Sequence, residues 1–313
     1  MSDYRALDYD FPPYRPPNEA ASALIRASRG CPWNKCLFCT MYKALKFKPR
    51  PVEEVKKDID KVAEIYKGAK SVFIADSDSL VMKDIEKIIR HIKLRFPDAD
   101  RITSYARAKT LMKLGSERLK RIKEAGLTRV HVGLESGDKK TLEFMQKGIT
   151  PKEIIAGVRA AKEAGLELSF YILVGAGGKD RLEEHAVESA RVCNEVNPDF
   201  IRLRTLVVQR GSLLEEKMIS GDYKPTSPLE KLKEVKILIE NLEVNQCELA
   251  SDHFTNNIWV DNTVVYRGVY GMLPEEKQGV LDMLDHTLEF LSVTDGEVLD
   301  ATILYERGFI NSL

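Results

Sequence analysis

Three cysteines crowd into one nine-residue segment, CPWNKCLFC, as Cys31, Cys36 and Cys39. Soft thiolates of this kind bind iron–sulfur clusters or zinc. A structural zinc site takes four ligands, but this loop holds no histidine, and the remaining cysteines, Cys193 and Cys247, have no CxxC partner. A cubane cluster held by three cysteines leaves one iron open to bind a cofactor or substrate. The residues alone leave a zinc site and redox-active thiols open as alternatives.

The composition excludes several classes of protein. The chain has 313 residues, of which 43% are hydrophobic and 31% charged, as in soluble globular proteins. No run of about 20 apolar residues predicts a membrane span. Lysine plus arginine equals aspartate plus glutamate at 48 each, so no overall positive field would attract nucleic acid. Residues 1–20 lack the basic and apolar stretches of a secretory signal, which predicts a cytoplasmic protein.

Six alternations of strand and helix must position the cysteines. The strands are predicted at residues 23–28, 71–75, 100–106, 129–134, 168–174 and 200–207. The helices between them are predicted at 52–68, 82–95, 115–125, 151–164 and 181–195. Short connections favour parallel strands joined by right-handed crossovers. Periodicity alone fits either an open doubly wound sheet or a complete or partial barrel.

Two further regions flank this repeating pattern. Residues 1–20 form a Pro-rich arm, in which Pro12, Pro13, Pro16 and Pro17 prevent a regular helix. Residues 212–313 carry predicted helices at 228–242 and 274–291 and predicted strands at 258–266 and 297–304. We therefore expect an arm at 1–20, a strand–helix domain at 21–211 and a small C-terminal α+β cap at 212–313.

Polar residues and glycines follow the predicted strands at their carboxyl ends, where α/β proteins build their active sites. They are Cys31 after the first strand, Asp76-Ser77-Asp78-Ser79 after the second, Arg107 after the third, Glu135-Ser136-Gly137 after the fourth and Gly175-Ala176-Gly177-Gly178 after the fifth. The carboxyl ends of parallel strands meet at one edge of a sheet. The sequence therefore predicts an active site at that edge.

A strand followed by a three-cysteine loop, with aromatic Phe38 directly before the last cysteine, resembles the radical S-adenosylmethionine (SAM) superfamily. The usual spacing there is Cx3Cx2C, and one more residue separates Cys31 from Cys36 here. The resemblance covers about residues 20–210 and implies a partial (β/α)6 TIM-like barrel, a [4Fe–4S] cluster on the three cysteines, and SAM as cofactor. It further implies reductive cleavage of SAM to a 5′-deoxyadenosyl radical, which abstracts hydrogen from an unidentified small or medium organic substrate.

One motif narrows the resemblance. Gly133-Leu134-Glu135-Ser136-Gly137 is similar to the fourth-strand motif of oxygen-independent coproporphyrinogen oxidases and of Elp3- and MiaB-like proteins. This similarity implies that Glu135 and Ser136 lie near SAM, with the carboxylate accepting bonds from ribose hydroxyls. Lys147 matches a basic position one helix later. The GGE motif that holds the SAM amino group in the family is absent, and Ala75-Asp76-Ser77-Asp78-Ser79 stands in its place.

These observations give a set of predicted cofactor-binding residues: Phe38, Asp76, Ser77, Asp78, Ser104, Arg107, Glu135, Ser136, Lys147 and Gly175. Several have a structural alternative. Glu135 is also suited to a helix N-terminus, Asp76 and Asp78 to turns and caps, and Arg107 to pairing with a nearby acid. The glycine run does not have the GxGxxG spacing of dinucleotide-binding proteins, and close backbone approach to SAM explains it better.

Residues on the last predicted strand and beyond it are candidates for substrate binding. Arg202 and Arg204 alternate with apolar residues, so both are predicted to face the barrel interior and meet an anionic substrate; an interior salt-bridged pair is the alternative. His253 and Asn256 belong to a polar stretch, 251–257, that is predicted to close over the substrate, although a lone histidine is often structural.

Partners follow from the same resemblance. The basic run Lys43, Lys46, Lys48 and Arg50 predicts docking of an acidic, low-potential electron donor such as ferredoxin or flavodoxin, or else is an ordinary solvated face. The balanced charge argues against nucleic acid as a partner. Two other functions stay open: an RNA-modifying radical SAM enzyme and a non-catalytic iron–sulfur or zinc protein.

Overall fold

The computed structural model describes Leu7, Tyr9 and residues 14–310. Its strands are β1 (Ala23–Arg26), β2 (Ser28–Arg29), β3 (Lys48–Pro49), β4 (Ser71–Ala75), β5 (Arg101–Tyr105), β6 (Arg129–Glu135), β7 (Glu167–Val174), β8 (Phe200–Thr205), β9 (Cys247–Ala250), β10 (Ile258–Val260), β11 (Thr263–Tyr266), β12 (Tyr270–Leu273) and β13 (Val298–Asp300). Its helices are α1 (Val52–Ile65), α2 (Ile85–Arg95), α3 (Ala108–Ala125), α4 (Lys139–Phe144), α5 (Pro151–Glu163), α6 (Leu182–Val196), α7 (Leu213–Ile219), α8 (Pro228–Glu240), α9 (Lys277–Val293) and α10 (Ala301–Glu306).

The largest sheet contains eight of these strands, in the order β1-β4-β5-β6-β7-β8-β9-β12. Strands β1, β4, β5 and β6 pair in parallel, as do β7, β8 and β9. Strand β12 joins β9 in antiparallel orientation. Within the described residues the order starts at β1 and ends at β12, so the sheet is open rather than a closed barrel. The chain has the α/β class and the parallel sheet that the sequence predicts.

The chain divides into two compact units. The first comprises the chain up to Asn34, Met41–Val132 and Ala156–Leu168. Its helix α1 buries Val55, Ile59 and Val62, which fall on one helical face. Between β2 and β3, which pair antiparallel, runs the segment that carries the cysteines. A small apolar cluster of Leu24, Phe73 and Ala75, with Tyr105 against it, fills part of this unit's core.

The second unit comprises Lys35–Thr40, Gly133–Ile155 and Ser169–Leu313. Strands β7 to β9 carry its share of the main sheet, and β10 pairs with both β11 and β13 in a separate three-stranded sheet. Helix α8 begins with a capping box in which Ser227 and Glu230 bond each other's backbone N–H groups. The predicted domain boundaries at 20/21 and 211/212 stay predictions.

The observed elements follow the six predicted strand–helix alternations closely, and the differences have local causes. Helix α3 begins at Ala108 rather than at residue 115, and Gly115 interrupts it with a non-helical φ of 68°. The sequence analysis missed β9 and β12, which extend the main sheet. Each has four residues, too few for a periodic pattern, and β12 has two exposed side chains, Tyr270 and Met272.

The C-terminal region corrects two strand predictions. The predicted strand 258–266 is a hairpin of β10 and β11 that turns at Asp261, which has a left-handed φ of 50°. The predicted strand 297–304 ends at Asp300, where α10 begins, because the Asp300 carboxylate accepts bonds from the N–H groups of Thr302 (2.9 Å) and Ile303 (3.1 Å).

The Pro-rich arm ends in a short 3-10 turn, Pro17–Glu19, while Pro12 and Pro13 lie outside the described residues. Glu19 is fully buried, and its carboxylate accepts hydrogen bonds from Ser22 and from Thr103 Oγ1 (3.0 Å). It also contacts Arg101 Nη2 (3.2 Å) and His131 Nε2 (3.2 Å). Although burial alone would raise it, these hydrogen bonds and positive charges hold the pKa of Glu19 at about 2. One carboxylate thus ties the arm to β5 and β6.

Candidate functional site

The centre of the cysteine loop is fixed from both sides of Leu37, the residue after Cys36. The Leu37 N–H donates to the carbonyl of Met145 (3.1 Å), and its carbonyl accepts from the Leu214 N–H (3.2 Å). Its side chain is 3% exposed in an apolar cluster, with Phe38 packed against it; the other buried members are Met145, Leu173, Ala176, Leu206, Val208, Leu214 and Tyr223. Burial of one leucine contributes about 2 kcal/mol, so Leu37 anchors the segment that carries Cys36 and Cys39.

The start of the loop is held within the first unit. Asn34 takes a left-handed φ of 51° and donates its backbone N–H to Cys31 Sγ (3.4 Å). Its amide Nδ2 donates to the carbonyl of Tyr42 (2.6 Å), which braces the turn. Ser77, from the loop after β4, donates to the carbonyl of Gly30, the residue before Cys31 (2.9 Å). The predicted Ser77 therefore contacts the cysteine loop directly.

Arg107 also meets this loop. Its guanidinium carbon lies 5.3 Å from the centre of the Trp33 ring, a cation–π distance, and Trp33 stands between Cys31 and Cys36. Sequence analysis assigned no role to Trp33, although its position inside the motif is a signal. Arg107 thus packs against the loop, and its role as a cofactor-binding residue stays a prediction.

The five cysteines divide into two chemical classes. None of them forms a disulfide within the described residues; Cys31, Cys36 and Cys39 are partly exposed, whereas Cys193 and Cys247 are fully buried. Burial, and then the nearby Cys247, raises the pKa of the Cys193 thiol, which keeps it protonated. In the part of the chain that the structure describes, no group of three or more His, Cys, Asp or Glu side chains is placed to hold a single metal ion. A cubane distributes its thiolates over different irons, and three accessible soft donors in one loop fit that cluster chemically.

The acids after β4 are buried and already have partners. Asp76 has a left-handed φ of 69° and pairs with Arg26 (Nε to Oδ2, 3.1 Å), while Tyr42 donates its hydroxyl to Oδ1 at 3.5 Å. Asp78 accepts from Thr110 Oγ1 (2.6 Å), and burial raises its pKa to about 6 against the opposing effect of this bond and of Arg107. Within the described residues, its Oδ1 atom is buried without a hydrogen bond. Asp76 and Asp78 are both predicted cofactor-binding residues, and for each that role stays a prediction.

The Ser104 side chain is likewise hydrogen-bonded within the protein. Its hydroxyl is fully buried, lies 2.9 Å from the carbonyl of Tyr105 and 3.3 Å from the carbonyl of Ile74, and has donor geometry toward each. These bonds satisfy the side chain within the sheet. Its role as a cofactor-binding residue stays a prediction.

Glu135 and Lys147 form a close pair in a space that a glycine leaves open. Lys147 Nζ donates to Glu135 Oε1 at 2.6 Å, and both side chains are mostly buried. A Cβ atom on Gly133 would lie 2.1 Å from Glu135 Oε1 and 2.9 Å from Lys147 Nζ. Glu135 itself ends β6 with a left-handed φ of 61°, which is uncommon for a residue with a side chain. The motif residues Gly133 and Glu135 therefore act together with Lys147 as one unit.

Ser136 belongs to a buried polar chain. Its hydroxyl lies 2.7 Å from His185 Nδ1, and His185 Nε2 lies 3.2 Å from Glu234 Oε1. Glu234 Oε1 in turn accepts the N–H of Gly175 at 2.8 Å. Ser136, His185 and Glu234 are each at most 2% exposed, so the chain resembles a Ser-His-acid arrangement but has no access to a substrate. Two predicted residues, Ser136 and Gly175, are thus connected through two residues that sequence analysis missed.

The glycine turn after β7 is explained by protein contacts. Gly175 has a φ of 90°, and its carbonyl accepts from the Tyr223 hydroxyl at 2.7 Å. A Cβ on Gly177 would lie 2.5 Å from the carbonyl of Arg181, and one on Gly178 would lie 2.8 Å from the carbonyl of Lys224. Close backbone packing therefore accounts for Gly177 and Gly178 without a bound ligand.

The predicted substrate residues assemble around an acid that the sequence did not identify. Asp252 accepts from Arg202 Nη1 (3.0 Å) through one oxygen and from Arg204 Nη1 (2.7 Å) through the other. His253 follows directly; burial, and then the charge of Arg204, lowers its pKa. Asn256 bonds Thr205 Oγ1 (3.0 Å) and the carbonyl of Leu203 (3.1 Å), which fixes the polar stretch against β8. All four predicted residues, Arg202, Arg204, His253 and Asn256, therefore lie around one end of β8.

Comparison with known families decides the assignment. The family model described as "Radical SAM superfamily" matches residues 25–189, which is more than half of the chain and includes all three loop cysteines. The chain belongs to the radical SAM superfamily. Members of this superfamily are enzymes that use a [4Fe–4S] cluster and SAM, as predicted from the cysteine loop.

Individual relatives are more distant. An uncharacterized methyltransferase of Pyrococcus horikoshii is 28% identical over 225 residues, covering 67% of this chain and 47% of that protein. A GTP 3′,8-cyclase of Peptoclostridium acidaminophilum is 28% identical over 179 residues, or 55% of this chain and 52% of the cyclase. This radical SAM chain thus spans about half the length of these two curated relatives.

A solved structure shows the fold. The archaeal Elp3 of Methanocaldococcus infernus matches 93% of this chain and 68% of its own with a TM-score of 0.52, at 13% sequence identity. The predicted partial TIM-like barrel is confirmed as the fold. Within the described part of this radical SAM chain, no helix is both long and apolar enough to cross a membrane.

Proposed function

We propose that this chain cleaves SAM reductively and uses the resulting radical on a small or medium organic substrate. The observation that carries the proposal is the construction of the cysteine loop. Three partly exposed thiols lie in one segment, which Leu37 anchors by two backbone hydrogen bonds and a buried side chain. A loop fixed in this way supports three cluster ligands, Cys31, Cys36 and Cys39, and leaves one iron for SAM.

The other predicted residues have distinct roles in this proposal. The Glu135 carboxylate, oriented by Lys147, accepts hydrogen bonds from the ribose hydroxyls of SAM. The free oxygen of Asp78 is the candidate acceptor for the SAM ammonium, and Arg107 is the candidate partner for the SAM carboxylate. When bound, the reduced cluster supplies the electron that cleaves SAM to a 5′-deoxyadenosyl radical, the species that abstracts hydrogen from substrate.

Ser136 positions the Glu135 loop and does not bind SAM itself in this proposal. Because it is fully buried and bonded to His185, it holds the loop after β6 rather than touching SAM. We therefore assign Ser136, His185 and Glu234 a positioning role that connects the Glu135 loop with the turn at Gly175.

An acidic electron donor is the proposed protein partner. Lys43, Lys46 and Lys48 are exposed, whereas Arg50 is engaged with Asp58 (2.6 Å). Three exposed lysines beside the cysteine segment suit a donor such as ferredoxin or flavodoxin. The reducing conditions that a cluster needs agree with the cytoplasmic location predicted from sequence.

RNA modification is the alternative, because the motif at residues 133–137 resembles that of Elp3- and MiaB-like proteins. The balanced charge of 48 basic and 48 acidic residues favours a small substrate instead. Binding of transfer RNA at physiological salt would favour the RNA alternative.

The test is production of 5′-deoxyadenosine by the reconstituted chain. The protein is loaded anaerobically with iron and sulfide, reduced with dithionite and supplied with SAM. We expect the wild type to form 5′-deoxyadenosine, and Cys36→Ala to form less than about one hundredth as much, since removal of one ligand removes the cluster.

Cys193→Ala is the matched control, because this cysteine is fully buried in α6 and is not part of the cysteine loop, so product formation should be unchanged. Unimpaired 5′-deoxyadenosine formation by Cys36→Ala would overturn the proposal. Tetrahedral zinc bound to the loop without affinity for SAM would instead select the non-catalytic alternative.

A further inference from the structure

We infer that Arg202 and Arg204 bind an anionic group of the substrate, a phosphate or a carboxylate. The inference deepens the proposed function and rests on it, because it assigns the chemical class of the substrate that the radical would meet. Every residue that carries it lies in the second compact unit.

The two arginines are poorly neutralised for their burial. The side chains of Arg202 and Arg204 are 5% and 17% exposed, and both contact the same carboxylate, Asp252. The other acid in contact, Glu248, lies 3.3 Å from Arg202 Nη2 and is 45% exposed, so water screens its charge. Among the described residues, the one carboxylate that pairs with Arg204 is therefore shared with a second buried cation.

Both guanidinium groups keep buried donors without a hydrogen bond. In the part of the chain that the structure describes, Arg202 Nε and Arg204 Nη2 have no hydrogen-bond partner, although both atoms are shielded from solvent. A buried charged donor without a partner destabilises the fold, so a native protein rarely keeps two of them without a use. An anion placed between them would supply the missing acceptors.

The sheet register directs these donors toward the side of the cysteine loop. Across the β7–β8 pair, Tyr171 is opposite Arg202 and Leu173 is opposite Arg204. Side chains two residues apart on a strand share a face, so all four lie on one side of the sheet. Leu173 packs in the same apolar cluster as Leu37. Leu37 lies between Cys36 and Cys39 in the sequence. The arginines thus occupy the sheet face that the cysteine segment covers.

The neighbouring Tyr171 and His253 side chains do not neutralise the arginines. The Arg204 guanidinium lies 5.0 Å from the centre of the Tyr171 ring, which restrains the side chain without neutralising it. His253 has a lowered pKa and accepts the Thr255 N–H at Nδ1 (3.3 Å), so it adds no charge at neutral pH. The guanidinium fork is the geometry that binds phosphate and carboxylate groups.

The experiment measures anion binding to the reconstituted holoenzyme by isothermal titration at constant ionic strength. The probes are phenyl phosphate and benzoate, which separate the two sources of negative charge, with benzyl alcohol as the neutral comparison. We expect saturable binding of at least one anion and none of the alcohol. Arg204→Gln should weaken that binding by about ten-fold or more, because a charged donor is lost.

Two further variants separate binding from folding. Asp252→Asn removes the carboxylate that competes for both arginines, so it should bind the anion several-fold more tightly, which a merely disrupted fold would not do. Arg204→Lys should recover part of the affinity. Arg191→Gln, at an exposed arginine of α6, is the matched control and should bind like the wild type.

The outcomes distinguish this inference from the proposed function. Formation of 5′-deoxyadenosine without saturable binding of either anion would overturn the anion site alone. Anion binding that Arg204→Gln and Asp252→Asn leave unchanged would show that the arginines are a structural pair, and would also overturn it. Anion binding by a chain that does not cleave SAM would support the site and contradict the function.

Discussion

At the scale of single residues, the two glycines of the motif Gly133-Leu134-Glu135-Ser136-Gly137 have structural roles of their own, besides the role of Glu135. Gly133 leaves the space in which Lys147 and Glu135 meet, and Gly137 lies against the backbone of α6, where an added Cβ would come within 2.0 Å of the Glu188 carbonyl. The two glycines are thus required for different reasons. One makes room for two flexible side chains, and the other for rigid backbone.

Alanine substitutions should separate these reasons. Gly133→Ala displaces the ends of flexible side chains, so its unfolding free energy should stay within about 1 kcal/mol of the wild type. Because Glu135 must move from Lys147, the Kd for SAM should rise about ten-fold if the carboxylate loses one charge-assisted bond. Equilibrium unfolding and SAM titration measure the two quantities.

Gly137→Ala is the contrasting variant. The added Cβ would clash with backbone atoms, which cannot move aside as a flexible side chain can. The variant should therefore lose about 2 kcal/mol or more of stability. If Gly133→Ala binds SAM as the wild type does, the Glu135–Lys147 pair has no part in SAM binding.

At the scale of elements, one buried acid, Glu19, links the arm before β1 to two strands of the main sheet. The Pro17–Glu19 turn carries Glu19 to Thr103 on β5 and His131 on β6. Proline content predicted the lack of a long helix here. It did not predict that Glu19 attaches the arm to β5 and β6, because the residues that Glu19 contacts there lie more than eighty positions away in the sequence.

Replacing this acid should cost stability in a pH-dependent way. The pKa of Glu19 falls from 4.5 to about 2 on folding. The charged form is therefore favoured in the folded state, and its contribution is complete above about pH 4.5 and lost as the pH falls through about 2. At pH 7 this corresponds to about 3 kcal/mol that Glu19→Gln should lose.

Urea unfolding at pH 7 and at pH 3.5 measures this effect. The difference between wild type and Glu19→Gln should shrink at the lower pH, whereas Glu117→Gln, at an exposed acid, should match the wild type at both. A difference that stays constant or grows toward acid pH would show that the Glu19 charge does not stabilise the fold.

At the scale of the whole molecule, the sequence was sufficient to predict those features that depend on short segments of the chain. The cysteine spacing, the six strand–helix alternations and the superfamily follow from short segments, and the family match and the parallel sheet confirm them. The position of Glu135 at the end of β6 also follows from its strand.

Contacts between residues far apart in the chain could not be predicted from the sequence. Asp252 lies 50 positions from Arg202, and His185 lies 49 from Ser136, so no periodicity connects either pair. Ser136 looks like a site residue in the motif, yet the folded chain buries it completely. Burial and pairing are properties of the packed structure, and they decide which polar residues face a ligand.

The most direct test of the central claim is electron paramagnetic resonance of the reduced, reconstituted chain with and without SAM. The account predicts the signal of a reduced [4Fe–4S] cluster that changes on addition of SAM, as an open iron gains a ligand, and that is absent from Cys31→Ala, Cys36→Ala and Cys39→Ala. A cluster signal that SAM leaves unchanged, or one that persists when any of the three cysteines is replaced, would contradict it.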